Sequence, residues 1–228
     1  MSAIPDRLAE VRRGLEEAAR SAGRDPSQVT LVAVSKKHPA DAIRQAYAAG
    51  QRDFGENYAQ ELVEKQQQLA DLADIRWHFI GALQSNKARV VVPGCVLVHA
   101  VDRLSVLDAL SRRAVASNVT CDVLIEVNVG GEASKAGVSP EAVSALLDQA
   151  ATRPALQVRG LMCIPPPVVT PELARPFFRR LRDLRESLQD GHPRLDFLSM
   201  GMTSDFGAAI AEGATHIRVG TAIFGLRE

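Results

Sequence analysis

Eight short apolar runs alternate with segments of helical periodicity along the chain, and no other feature limits the possible folds so strongly. The runs are Val29 to Lys36, Arg52 to Phe54, Ile75 to Ile80, Val96 to Val101, Cys121 to Val129, Leu156 to Met162, Leu195 to Ser199 and Thr215 to Val219. Runs that are apolar on both faces and rich in Val and Ile read as strands of a parallel sheet covered by helices on its faces. Between them lie helical stretches such as Pro39 to Ala49, closed by Gly50, and Ser139 to Ala151. Ahead of the first strand, Ile4, Leu8, Val11, Leu15 and Ala18 form one apolar stripe of an N-terminal helix that ends near Gly23. Eight βα units in 228 residues predict a single (β/α)8 TIM barrel with an extra N-terminal helix, in one domain spanning 1–228. The rival, a doubly wound open sheet, usually needs fewer strands and a topological switch point.

In a barrel the carboxyl ends of all the strands meet at one mouth, so the polar residues that follow them should form one site. These are Lys36, Glu56 and Asn57, Gln84 to Lys87, Asp102, Asn128, the loop Ser199 to Ser204, and Arg218 to Thr221. The first run, VTLVAVSKKHP, ends in two lysines. A lysine there is partly desolvated, which favours its nucleophilic free amine, so Lys36 or Lys37 is the candidate for a Schiff base. The loops after runs seven and eight, SMGMTSD and RVGTAIFG, carry the glycines and hydroxyls with which barrels cradle a phosphate. An amine facing a phosphate cradle suits a phosphorylated carbonyl compound, either a sugar phosphate in a lysine aldolase or pyridoxal 5′-phosphate (PLP).

Other chemistries are disfavoured. Lys plus Arg and Asp plus Glu both number 27, and this balance argues against a nucleic-acid or membrane binder. The one arginine cluster, Arg175 to Arg185, lies on a helix with apolar positions Leu173, Phe177, Leu181, Leu184 and Leu188, and reads as a solvated face. Cys95, Cys121 and Cys163 have neither disulfide nor zinc spacing and imply a reducing compartment. No metal is expected, because the five histidines lack HxH or HExxH spacing. His78 and His99, within apolar runs, are expected to be hydrogen-bonded barrel residues. The N-terminus lacks a signal-peptide pattern, which gives a cytoplasmic expectation.

AVSK at 33–36, FGENY at 54–58, WHFIGALQSNK at 77–87, SKAG at 134–137, RGLM at 159–162, SMGM at 199–202 and RVGTAIFG at 218–225 resemble the pyridoxal phosphate homeostasis protein family. The resemblance runs over nearly the whole chain. It implies an alanine-racemase-like barrel that holds PLP as an internal aldimine on Lys36, with Lys37 outside that site. It also implies Asn57 in the cofactor pocket, Ser199, Met200, Gly220 and Thr221 around the phosphate with Thr203 as a hydroxyl donor, and Arg218 at the pyridine nitrogen. An arginine only donates, so that nitrogen stays largely unprotonated and the ring is a weaker electron sink. The alternative for Arg218 is a strand-end arginine paired with a carboxylate.

Similar two-domain racemases take a second acid/base, a tyrosine, with help from a C-terminal β-domain. This chain ends nine residues after Val219. Tyr47 falls in a helix, and Tyr58 is expected to pack. The expected function is therefore PLP binding in cellular PLP homeostasis without turnover, by a monomer, with PLP-requiring apo-enzymes as recipients. A PLP-dependent amino-acid racemase is the alternative and a lysine aldolase the third reading. The loop 130–137, carrying Lys135, is either a lid over the mouth or a polar turn.

Overall fold

The computed structural model describes residues 3–132 and 135–226. Eight parallel strands close in sequence order into a barrel: β1 (Thr30–Val34), β2 (Asp53–Glu56), β3 (Arg76–Phe79), β4 (Leu97–Val101), β5 (Cys121–Glu126), β6 (Leu156–Met162), β7 (Phe197–Ser199) and β8 (His216–Val219). Closure is made by β1 on β8, with Thr30 opposite His216 and Ala33 opposite Val219. That pairing rules out the open sheet, since neither strand is left as an edge. Around the barrel lie α1 (Ile4–Ser21), α2 (Ala40–Ala48), α3 (Ala59–Gln68), α4 (Ala88–Val91), α5 (Leu104–Ala116), α6 (Val143–Ala151), α7 (Arg175–Leu188), α8 (Phe206–Ala211) and α9 (Thr221–Phe224).

The helix after β8 is only four residues long and cannot cover the seam between β8 and β1. The N-terminal helix does so instead. It packs against α8, α9 and α2 through Ile4, Leu8, Val11, Leu15 and Ala19. Each fully buried Leu or Val on that stripe contributes roughly 1.5–3 kcal/mol.

Alternation along the strands separates two layers. Leu31, Ala33, Phe54, Trp77, Phe79, Ile125, Leu161, Leu198, Ile217 and Val219 join the helices in the outer core. A second, smaller cluster of Leu97, Ala100, Leu124 and Met162, with Phe197 against it, fills part of the interior. Much of the remaining interior is polar: Asp53, His78, His99, Ser199, His216 and Arg218 are all buried.

The α7 stripe differs from expectation. Phe178 and Leu181 are its fully buried positions, whereas Leu173 is exposed. The arginines there are not simply solvated. Arg175, Arg179 and Arg182 converge at 2.8, 3.0 and 2.8 Å on Glu212, just after α8, whose side chain is 1% exposed. Among the described residues, no helix is long and apolar enough to cross a membrane.

Candidate functional site

At the carboxyl end of the barrel a cavity of about 150 Å³ is lined by Val34, Lys36, Asn57, Ile80, Ile164, Met202, Thr203, Arg218, Gly220 and Thr221. Residues from both ends of the chain thus share one wall. The pairing of β1 with β8 places Val34 and Lys36 beside Arg218 and Gly220. Gly220 sits close to β1, where a Cβ would come within 3.1 Å of the Val34 carbonyl. At Gly81 a Cβ would overlap the Asn57 carbonyl, so a glycine after β3 lets the chain pass tightly over Asn57.

Lys36 follows a strand end that is fastened from outside the barrel. Ser35 faces outward and donates through Oγ to Glu56 Oε1 at 2.6 Å, while Lys65 Nζ on α3 donates to Glu56 Oε1 and to the Ser35 carbonyl, both at 2.7 Å. Lys65 is only 5% exposed. Burial raises the Glu56 carboxyl to about 7, against the downward pull of Lys65 and Ser35. The next residue, Lys37, is exposed and left-handed at φ 63°, and its amide donates to Glu61 Oε1 at 2.6 Å. The two lysines therefore part: Lys36 lines the cavity and Lys37 does not.

Across the cavity the Arg218 guanidinium is buried, donating through Nη1 to Ser199 Oγ at 2.7 Å and through Nη2 to the Cys163 carbonyl at 2.9 Å. No described carboxylate lies within ion-pair distance of it, so the carboxylate-paired alternative is not what this strand end contains. Burial lowers its affinity for the proton, offset by the fields of Cys163, Glu126 and Asp205. The β7 loop is shaped by Gly201 at φ 92°, where a Cβ would meet Ala209 Cβ at 2.6 Å. Asp205 Oδ1 accepts the Met202 amide at 2.6 Å and holds the loop closed.

The family model for the alanine racemase N-terminal domain matches residues 7–228. A relative from Pseudomonas aeruginosa named pyridoxal phosphate homeostasis protein is 50% identical over all of this chain and 97% of its own length. The chain belongs to the pyridoxal phosphate homeostasis protein family. PipY of Synechococcus elongatus, a structure solved with PLP bound, is 42% identical with a TM-score of 0.85, covering 97% of this chain and 100% of that one. Alanine racemase from Corynebacterium glutamicum, at 16% identity and a TM-score of 0.69, shares the fold over 97% of this chain and 61% of its own. In this family the barrel and the racemase barrel are one architecture, and the family carries the name of a homeostasis protein.

Of the residues to which the family resemblance gives roles, Lys36, Asn57, Thr203, Arg218, Gly220 and Thr221 share the cavity wall. Ser199 lies beneath it, behind Arg218. Met200 is placed elsewhere: its side chain is buried in the outer core and its amide is bonded to the His216 carbonyl. Alternation explains this, because Ser199 faces inward and the next residue must face out. Glu56, expected at the mouth, also faces out, to Lys65. Tyr58, expected to pack, is 52% exposed on the rim. Ser134 lies outside the described residues. Flanking it, Asn128 Nδ2 donates to the Glu132 carbonyl at 2.8 Å and the Lys135 amide to the same carbonyl at 3.0 Å.

One buried carboxyl of the mouth escaped the sequence reading. Glu126, at the end of β5, is 5% exposed, and burial together with Asp102 raises it to about 7 while Arg218 pulls it down. Counting two residues on from the interior Leu124 would have found it.

Proposed function

We propose that this chain binds PLP covalently through Lys36 Nζ and serves PLP homeostasis by holding the cofactor rather than by turning over a substrate. The observation that carries the reading is the convergence of a lysine amine, a buried guanidinium, two hydroxyls and a glycine backbone on one cavity. The residues fit the cofactor. Asn57 Oδ1 is a buried acceptor with no partner, ready for a ligand donor, and the Gly220 cradle is one that a side chain would fill. Thr203, Gly220 and Thr221 would hold the phosphate and Arg218 would face the ring nitrogen as a donor. When bound, PLP supplies an aldehyde for the Lys36 amine and an electron-withdrawing ring.

Lys36 and Arg218 are the only ionisable groups among the described residues that line the cavity. A racemase needs acid/base groups on both faces of its substrate carbon, so this lining favours holding over turnover. The barrel would work as one domain, as a monomer in the cytoplasm, with PLP-requiring apo-enzymes as recipients. Amino-acid racemisation is the second reading, favoured by the shared racemase fold.

The test is borohydride reduction of the protein after incubation with PLP. Loss of a visible absorption band with mass gained on the Lys36 peptide, absent in Lys36→Ala, is expected. A colourless protein that gains no mass on that peptide refutes covalent binding. Racemisation abolished by Lys36→Ala would move the reading to the enzyme.

A further inference from the structure

A line of hydrogen bonds crosses the barrel interior from the cavity to the opposite end. Arg218 Nη1 meets Ser199 Oγ at 2.7 Å, Ser199 Oγ meets His99 Nδ1 at 2.8 Å, His99 Nε2 meets His78 Nδ1 at 2.9 Å, and His78 Nε2 meets Asp53 Oδ1 at 3.1 Å. Five strands contribute: Asp53 is on β2, His78 on β3, His99 on β4, Ser199 on β7 and Arg218 on β8. At the far end Arg76 grips Asp53, its Nε 2.8 Å from Oδ1 and its Nη2 2.5 Å from Oδ2.

The chemistry of the two ends fixes the direction of every link. A guanidinium can only donate, so Ser199 Oγ accepts from Arg218. With neutral rings the Asp53 carboxylate takes the His78 Nε2 proton, which leaves Nδ1 of His78 and in turn Nδ1 of His99 bare, and the Ser199 hydrogen goes to His99 Nδ1. His99 is then neutral with its proton on Nε2, which it gives to His78 Nδ1. His78 in turn carries its proton on Nε2 and gives it to Asp53, a carboxylate that only accepts. Asp53 stays ionised: burial acts to raise it, but the bonds from His78 and Arg76 outweigh this and hold it at about 2. A proton is disfavoured on His99 and on the neighbouring His216. His99 is held well below its ordinary value by burial and by His78, His216 and Arg218, and His216, beside both rings, is driven down to about 3 by burial first and His78 next. Glu126 and Asp205 act on Arg218 from other strands and loops without bonding to it, and Cys163 acts on it through its field as well as through the carbonyl that accepts from Nη2.

We infer that Asp53, His78, His99 and Ser199 are positioning residues that orient the Arg218 guanidinium toward the cavity through a one-way hydrogen-bond line anchored at the amino end of the barrel. Ser199 without His99 could turn its hydrogen toward Arg218, losing its role as acceptor. With the line complete, Arg218 has its two anchoring donors spoken for and presents its remaining N–H groups to the ligand. The anchor sits where its charge is tolerated. Asp53, with Arg76, borders a polar cavity of about 430 Å³ beside α1 that also takes in Arg12 and Arg52, so the one ion the line needs is kept at a solvated edge.

The direction of the line stands by itself, and only its effect on bound PLP rests on the proposed cofactor reading. Nitrogen-15 NMR of histidine-labelled wild-type protein without added cofactor tests the first. His99 is expected to show a protonated Nε2 and a bare Nδ1 from pH 6 to 8, and neutral His78 the same tautomer. A proton on Nδ1 of neutral His78, or a proton on Nδ1 of His99 at any pH in that range, overturns the inference whatever the cavity binds. The second arm measures PLP by absorption. His78→Leu, which does not touch the cavity, and Ser199→Ala are each expected to shift the band of the bound cofactor and weaken affinity about 5-fold to 10-fold, the worth of one or two hydrogen bonds. Ser199→Thr restores the hydroxyl and is expected to return both toward wild type. Unchanged bands and affinity in His78→Leu and Ser199→Ala, in protein that binds PLP, would overturn the positioning role.

Discussion

Lys65→Met removes the amine that fastens the end of β1 from outside the barrel, and the structure fixes how large the effect should be. Lys65 Nζ donates at 2.7 Å to both Glu56 Oε1 and the Ser35 carbonyl, and the pair is almost wholly buried, at 5% and 0% exposure. Methionine fills the same volume and leaves Glu56 with the Ser35 hydroxyl as its remaining bonded partner. Losing one member of a buried pair costs ~3–5 kcal/mol. Glu56 can escape part of this by taking a proton, since burial already holds it at about 7, so we expect ~3 kcal/mol at pH 8. For a chain of this size that corresponds to a fall in Tm of ~6–12 °C.

The sign of the pH dependence follows from linkage. Glu56 has its folded value raised above the ordinary 4.5, so the stability linked to it is complete below that value and is lost as pH rises through about 7. Without Lys65 the folded value rises further, and the variant loses additional stability in the range above 7. At pH 5 the carboxyl is protonated in both folded proteins, and what remains is the lost Lys65 bond to the Ser35 carbonyl, which keeps the His38 amide as a donor, ~1 kcal/mol. Urea denaturation of wild type, Lys65→Met and Glu56→Gln/Lys65→Met at pH 5 and pH 8 measures this. The double variant removes the buried Glu56 charge, leaving the partly exposed Glu61 without its contact at 3.3 Å to Lys65, and should recover ~1–2 kcal/mol of the loss at pH 8. An equal loss at both pH values, or a double variant less stable than Lys65→Met, would refute the reasoning.

Glu126→Gln should be close to neutral at pH 5 and stabilise on the order of 1–3 kcal/mol at pH 8, because the raised carboxyl ionises at a cost as pH passes about 7; denaturation curves at the two pH values check it. Glu212→Gln should lose ~2 kcal/mol at pH 7, a figure kept low because its three arginine partners are partly solvated. Burial alone would raise Glu212, but the bonds from Arg179 and Arg175 outweigh it and leave it below 4.5, so the difference should close as pH falls through that lowered value. Gly81→Ala forces a methyl into the Asn57 carbonyl and should cost ~1–3 kcal/mol by overpacking, with weaker PLP affinity in an absorption titration because Asn57 is displaced.

What sequence pattern revealed, and what it did not, divides along the faces of the strands. The strands themselves were legible because a barrel covered by helices makes each an apolar run, and Lys36 was legible because it directly follows one. Glu56 was assigned to the mouth for standing beside Asn57, although neighbours on a strand point to opposite faces, and only one of the two could line the cavity. Glu212 lies 30 to 37 residues from the arginines it gathers, so helical periodicity on α7 held no trace of the cluster. His78 and His99 were correctly read as hydrogen-bonded barrel residues. Their partners were hidden, because Asp53, His78, His99 and Ser199 meet across the barrel by register and diameter, neither of which any single stretch records.

The burial of Arg218 bears on why the protein would hold an anion at all. A guanidinium without a carboxylate partner is expensive in a protein interior, and here its two bonded acceptors, Ser199 Oγ and the Cys163 carbonyl, are neutral. The surrounding imidazoles cannot supply a counter-charge: His99 and His216 are kept neutral, and the hydrogen-bond line carries its one negative charge to the far end, where Arg76 cancels it. Glu126 and Asp205 offset part of the field, and burial raises both, so each holds its proton more readily than an exposed carboxyl does. The interior is thus left short of negative charge beside the cavity that Lys36 shares. An anionic ligand seated there supplies the missing charge and binds the folded state alone, so its affinity adds directly to stability, by about 2.7 kcal/mol when present at 100 times its Kd. Under the proposed function that anion is the phosphate of PLP, and urea denaturation with and without PLP measures the gain.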